Sequence, residues 1–362
     1  MGKSWGVESL TIAQRHYKVL MAGVDQFGGN NVVAPILEAY QMGVKEHGEA
    51  AIRKRFEESA VRLLKNIIHV GLFENPYLDP DNSRKVVGNA EFMKAGYEAQ
   101  LKSLVLLKNK NKVLPVQKTK TVYIPKRTVP AARDWFGNVT PERIEYPVSM
   151  NIVAKYFKVT EDPSQADLAI VFVKSPDGGT GYSKDDRANG GNGYVPISLQ
   201  YGPYTASAAR EKSLAAGDPV IDPTITNRSY KGKQITANNV TDLKTILDTK
   251  AAMKNKPVVV VINGNKPMVF AEFEKQVDGI IYSFGEMDQA IMDVVTGVEP
   301  AGLLPVQMPA NMETVETQLE DVPHDMKVHV DTEGNAYDFA YGLNWKGVIN
   351  DKRTAKYRRE KL

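Results

Sequence analysis

Hydrophobic positions along the chain follow two regimes. Up to about residue 107 they recur mostly at helical spacing. Ser9 and Thr11, both residue types that cap helix starts, precede TIAQRHYKVLMAG, which reaches Gly23 near its end. A strand-sized piece, Val24-Asp25-Gln26-Phe27, is closed by Gly28-Gly29, and a helical stretch begins near Val32. The strongest period lies in AAIRKRFEESAVRLLKNIIHVG. There Ile52, Phe56, Ala60, Leu63, Leu64, Ile67 and Ile68 share one face, and charged residues fill the other. Gly71 suits the position just past the helix end, with Leu72 placed to pack back. NPYLDPDNSRK interrupts the periodicity and marks a boundary. A further helix is predicted over roughly 89–107.

From about Thr121 the pattern changes to short apolar runs: TVYIP, DLAIVFV, KPVVVVING, DGIIYSF and LLPVQMP. Between them lie helical patterns such as MNIVAKYF, TDLKTILDTKAAM and DQAIMDVVTG. Continuous Val/Ile runs separated by crossover helices predict buried parallel strands. The fold class is therefore α/β, an open doubly wound sheet over about 110–350 preceded by a mostly helical region. The irregular segment 175–238 is too long for a connector and reads as functional or disordered. The helices of the first hundred residues have apolar faces but no sheet of their own to cover. Either they wrap the α/β domain or each other, or their natural partner is missing.

Composition narrows the function classes. The chain has 362 residues, 42% hydrophobic and 25% charged, with a net charge of +3 and both signs interspersed. No basic stripe points to nucleic acid. No apolar run is long enough to cross a membrane as a helix. Cysteine is absent, which removes disulfides and thiolate metal sites. MGKSWGVESLTIAQ has no apolar core and does not read as a signal peptide, so a signal in an exported protein is expected upstream of Met1. The five histidines are scattered without helix-compatible carboxylate spacing, and no metal site is expected. GGTGYSKDDRANGG clusters glycines but has no Walker lysine and no strand–GxGxxG–helix context for a nucleotide. A flavodoxin-like nucleotide binder thus fits the sheet pattern alone. Trp5, Trp135 and Trp345 are core or interface residues by default, with sugar stacking as the alternative.

Five collinear motifs carry a resemblance. AGVDQFGG, RLLKNIIHVGLFENPYLDP, EAQLKSLVLLKNKNKVLPV, EMDQAIMDVVTGVEPAGLLPVQMP and YDFAYGLNW together resemble glycoside hydrolase family three, the β-glucosidase-like enzymes, over nearly the whole chain. The resemblance implies a (β/α)₈ barrel carrying the nucleophile, followed by an α/β sandwich domain that leans over the site. On that reading 1–75 is the last strand and helices of a truncated barrel. Residues 76–110 are a linker and connecting helix, 111–350 the sandwich domain, and 351–362 a charged tail. The missing partner of the N-terminal helices is then the rest of the barrel.

The family's nucleophile is an aspartate in an SDW-like motif. Here Lys3-Ser4-Trp5-Gly6 has no acid between Ser4 and Trp5, so no nucleophile is assigned in this chain. Asp25 follows the strand-sized piece, where barrel sites are built. A turn-capping role suits it better than sugar contact. The acid/base partner comes from a second-domain loop, matched here by SPDGGTGYSKDDRANGGNGYVPISLQYG. Asp177, Asp185 and Asp186 are the candidate acids, because no glutamate lies between Val171 and Gln200. Arg187 is placed to bind hydroxyls, and Tyr182, Tyr194 and Tyr201 to stack on a pyranose. The alternative is a solvated loop with an ion pair.

The resemblance implies no cofactor. The expected ligand is a β-linked oligosaccharide or glucoside. The expected partner is the missing barrel half, or a second copy through the exposed apolar surface. Family members with this loop are commonly exported, which favours a periplasmic or extracellular location by analogy. A non-catalytic glycan-binding or structural module is the competing reading.

Overall fold

The computed structural model describes residues 7, 10–133, 138–211, 229–319, 322 and 324–357. Ser9, Trp5 and Trp135 lie outside them. The chain divides into two compact units, with the division between Ala90 and Glu91.

The N-terminal unit contains helices α1 (Ile12–Met21), α2 (Ala34–His47), α3 (Glu49–His69) and α4 (Pro80–Val86). Each boundary has a local cause. Thr11 caps α1 by accepting the Gln14 N–H, while the Gln14 side chain accepts from the Thr11 N–H, a reciprocal capping box. Gly23 and Gly71 close α1 and α3 with positive φ. In α3, the Gly71 N–H bonds Ile68 O and the Leu72 N–H bonds Ile67 O, the paired bonds of a Schellman end. The segment read only as a boundary contains α4, started by Asp79 as cap and Pro80 in the first turn.

Ala13, Leu20, Ala39 and Ile52 form the small buried interior of this unit. Gly43 lets α2 approach closely, since a Cβ there would stand 2.5 Å from the Ile52 side chain. The predicted apolar face of α3 is only half used. Ile52 is 1% exposed, but Leu63, Leu64, Ile67 and Ile68 are exposed, Ile68 by 56%. Residues 24–27, expected as a strand, pair with no other strand among the described residues.

The second unit is built on a mixed eight-stranded sheet. After α5 (Ala90–Ser103), its strands are β1 (Val105–Asn109), β2 (Thr121–Tyr123), β3 (Lys158–Thr160), β4 (Leu168–Lys174), β5 (Val258–Asn263), β6 (Gly279–Ser283), β7 (Leu343–Asn344) and β8 (Gly347–Val348). The spatial order is β8-β7-β1-β6-β5-β4-β2-β3. Strands β3, β2, β4, β5 and β6 run parallel. Strands β1, β7 and β8 add an antiparallel edge. Five of the six residues of β5 and six of the seven of β4 are buried, so both faces of these strands are covered. Helices α6 (Thr241–Met253) and α7 (Asp288–Thr296) flank the sheet as predicted.

Two expectations are corrected. The sequence pattern carries the helix through residues 104–107, but helix α5 stops at Ser103 and Val105–Asn109 form β1. A short apolar run fits either period, and here the register with β6 decides. LLPVQMP is not a strand: Pro305 and Pro309 lack N–H donors, and its backbone bonds are isolated ones at Leu304, with Tyr341 and Ala340, and at Met308, with Tyr337 and His329. The tail expected from 351 begins as a helix, Lys352–Tyr357, whose Arg353 donates to Ala301 O at 2.7 Å.

Strand β1 carries two irregularities that meet specific partners. Its register against β6 shifts between Leu106 and Lys108, a bulge at Leu107, and the Tyr341 hydroxyl donates to Leu107 O at 2.9 Å. Lys108 is 1% exposed and pairs with the buried Glu274, while donating to Glu274 O and Thr332 Oγ1 at 2.9 Å each. Burial pushes the Glu274 carboxyl up. The neighbouring His329, Lys108 and the Thr332 N–H outweigh that and hold its pKa at about 2.

Candidate functional site

The glycine-rich loop leaves the carboxyl end of β4 and is fastened at three levels. At its base, the Ser175 N–H donates to Asn263 O, extending the β4–β5 ladder. Asn239 Oδ1 accepts from the Asp177 N–H at 2.6 Å, and Asn239 Nδ2 donates to Asp242 at 2.8 Å. Asp242, fully buried at the start of α6, receives both arms of Arg127 at 2.6 and 2.8 Å. A buried charge needs such a bidentate partner, and this pair ties the loop base to the sheet.

In the middle, Gly178 bridges to Ser198 and Tyr182 to Tyr194, so the loop folds back on itself as a ribbon. Glycine is required at 178, where a Cβ would lie 2.0 Å from Ser198 O. The Tyr182 and Tyr194 rings meet edge to face with centroids 5.8 Å apart. Tyr194 is buried, which leaves Tyr182 as the more accessible of the two.

At the tip, Ser183 caps the short helix Lys184–Ala188 by accepting the Asp186 N–H. The Asp186 carboxylate accepts from Lys233 Nζ and from the Gly193 N–H, both at 2.7 Å. Lys233 also donates to Asn192 Oδ1 and Tyr194 O. The Lys233 ammonium, with the Gly193 N–H, holds the Asp186 carboxyl below its ordinary range. Such an environment suits a permanent anion that fixes the loop and disfavours a proton donor.

The other predicted site residues scatter. Asp177 is exposed at the loop base, with its carboxylate accepting from Asn238 Nδ2 at 3.1 Å. Asp185 and Arg187 are exposed on the short helix. Tyr201, expected to stack on a sugar, is fully buried with its hydroxyl on Lys174 O, and so cannot present a face. Asp25 lies in the N-terminal unit, where it accepts from Ser59 at 2.7 Å, Arg55 at 3.0 Å and Arg62 at 3.1 Å. The Ser59 hydrogen bond and the two guanidiniums hold its pKa down. Its partners all lie on α3, so the carboxylate ties residues 24–27 to that helix and does not cap the turn. Trp345 packs against the core and donates to Gly297 O at 3.2 Å.

Sequence reasoning missed Lys233, Asn239 and Glu272. All three reach the loop from beyond its own sequence window, so local motifs carried no sign of them. Glu272 is a glutamate brought to a loop that lacks one. Its two oxygens accept the Tyr201 and Gly202 N–H groups at 2.7 and 2.8 Å. Burial pushes its carboxyl up, against the pull of those two donors.

Comparison with known proteins agrees with this architecture. A family model described as the glycosyl hydrolase family 3 C-terminal domain matches residues 104–345. The chain is 28% identical over 344 residues to a probable beta-glucosidase C of Aspergillus flavus, covering 95% of this chain and 42% of that protein. It is 26% identical over 343 residues to a periplasmic beta-glucosidase/beta-xylosidase of Dickeya chrysanthemi, covering 94% of this chain and 41% of that one. The chain thus spans well under half the length of these relatives.

Among solved structures, a β-glucosidase from Erythrobacter marinus superposes with a TM-score of 0.55 at 17% identity, covering 94% of this chain and 46% of that one. The β-glucosidase from Listeria innocua in complex with glucose gives 0.53 at 17% identity, covering 92% and 44%. At such identity these two speak for the fold. With the family model extending from β1 to β7, this chain belongs to glycosyl hydrolase family 3 through its C-terminal domain.

Proposed function

We propose that this chain is the C-terminal portion of a retaining β-glycosidase that hydrolyses terminal, non-reducing β-glucosides. The observation that supports it most is the alignment of 95% of this chain with only 42% of a β-glucosidase. A retaining mechanism needs two carboxyl groups about 5–5.5 Å apart, one attacking the anomeric carbon and one protonating the leaving oxygen. The sequence assigns no nucleophile here, so the chain is inactive without a barrel that supplies one. Its contribution is the loop. Asp177 and Asp185 are the exposed carboxyl groups available as acid/base. Asp186 acts as a positioning residue through Lys233, and Tyr182 and Arg187 contact the sugar. The exposed half of α3 packs against the barrel. The Dickeya relative's name favours a periplasmic setting for the whole enzyme.

The test is hydrolysis of aryl β-glycosides by the chain alone and with a co-expressed family barrel. Turnover only in the mixture, abolished by Asp177→Asn or Asp185→Asn, is the expected result. Turnover by the chain alone would overturn the assignment of a missing nucleophile. A second reading, a glycan-binding module without catalysis, draws on the pairing of Asp186 with Lys233 and on the lack of glutamate in 171–200. Sugar binding without turnover in the mixture selects it.

A further inference from the structure

Within the parallel part of the sheet, the order β3-β2-β4-β5-β6 contains one reversal. The chain leaves β2 toward β3, then returns past β2 to β4 and continues the other way through β5 and β6. In open α/β sheets a crevice opens outside the carboxyl ends of the two strands flanking such a switch point, and ligands bind there. A cleft of about 250 Å³ occupies that place. One wall is the hairpin Arg127–Val129/Arg143–Glu145 that follows β2. The other wall holds the aligned ends of β4, β5 and β6, namely Lys174, Asn263 and Ser283.

The lining identifies the ligand class. Arg127 is neutralised by Asp242 and Arg143 by Glu145, which leaves Lys174 against Glu286 and Asp288, so the cleft has no surplus positive charge. Several of these groups are already paired: Arg143 with Glu145 at 2.7 Å, Glu286 with Ser283 at 2.6 Å, and Asp288 with the Ser149 N–H at 2.8 Å. The element after β2 is a hairpin where a phosphate-binding fold would place a helix start. Helix α7, which begins at the cleft, has the carboxylate of Asp288 in its first turn. An anion is therefore disfavoured. The floor is apolar, from Phe172, Val261 and Ile291. The Asn263 amide, the Lys174 ammonium and the carboxylates around an apolar floor match vicinal hydroxyls above a C–H face. The volume falls just below the roughly 300–1,000 Å³ typical of ligand sites, which suits one ring.

We propose that this switch-point cleft is a binding site for a neutral pyranose, carried by the α/β domain itself and separate from the glycine-rich loop. The glycosidase reading supplies only the expectation that such sugars are present, and the site is read by binding without turnover. Failure of the split-enzyme test therefore leaves this one intact.

The experiment is ligand-observed saturation-transfer NMR on the full chain with glucose and cellobiose. Glucuronate and inorganic phosphate serve as anionic probes. Glucose or cellobiose is expected to bind in the millimolar range. Asn263→Leu and the isosteric Glu145→Gln should each weaken binding by about fivefold or more, as loss of a hydrogen-bonding group does. An unchanged thermal midpoint in Glu145→Gln separates loss of binding from loss of fold. The proposal is overturned by no sugar signal, by a signal that both variants leave intact, or by stronger binding of either anion. It is also overturned if Tyr182→Ala removes the signal, because the sugar then sits on the loop.

Discussion

Helix α3 and strand β5 carry similar apolar side chains to opposite ends. Val258 to Ile262 are enclosed on both faces between β4 and β6. Leu63, Leu64, Ile67 and Ile68 stand on the same stripe as the buried Ile52, yet meet solvent. Full burial of one such side chain stabilises by about 1.5–3 kcal/mol. The sheet gains that term many times, while the second half of α3 forgoes it. Hydrophobic period therefore reports that a face requires a cover, and leaves open whether the same chain provides it. The helices of the N-terminal unit lean instead on local devices: a capping box, the glycine-closed ends of α1 and α3 and the Asp25 cluster.

Four changes break or sharpen this contrast. The largest effect is expected where the sheet encloses a charge. Lys108→Met leaves Glu274 buried without its ammonium, at a cost of about 3–5 kcal/mol in urea unfolding. The same pair sets an acid limit. A carboxyl held at about 2 in the fold stabilises above the ordinary glutamate range of about 4.3, and that contribution is lost as pH falls from there toward 2. Urea midpoints measured across that window should drop in the parent and drop less in Lys108→Met, where His329 and the Thr332 N–H remain.

Next come matched truncations. Ile262→Ala should cost about 2–5 kcal/mol, and Ile68→Ala about 0.5 kcal/mol or less. Equal costs would mean that the α3 stripe is covered in solution. The third change tests that cover directly. Light scattering at micromolar concentration should show self-association of the parent, reduced to monomer by Leu64→Asp with Ile68→Asp. A monomeric parent would argue against a self-cover. The smallest effect is expected from Thr11→Ala, about 1 kcal/mol, seen as faster amide exchange in α1 with the sheet unaffected.

Much of the fold was legible because its signals are local. Thr11, Gly23 and Gly71 announce helix ends through backbone chemistry that neighbours alone decide. The Val/Ile runs of β4, β5 and β6 are continuous because both faces of those strands are covered. What escaped depends on distant pairing. Leu104 to Leu107 fit a helix until β6 supplies a register, and LLPVQMP fits a strand until its prolines must give up the ladder. The candidate site was legible only as a loop. Asp186 looks like a possible acid in DDR, but the Tyr204–Thr205/Gln234–Ile235 hairpin returns Lys233 to it. Tyr201 looks like a stacking platform, but its ring lies in the core. The cleft at the switch point escaped because it assembles from the ends of strands and a hairpin that share no sequence window.

Strand β1 pairs with β6 and β7, which lie far downstream in the chain. On a ribosome adding about 5–20 residues per second, Val105–Asn109 emerges on the order of ten seconds before either neighbour exists. For that interval VLLKN is an unpaired apolar edge with a lysine that has no carboxylate to meet. The antiparallel border of the sheet therefore cannot close before β6 and β7 have been made.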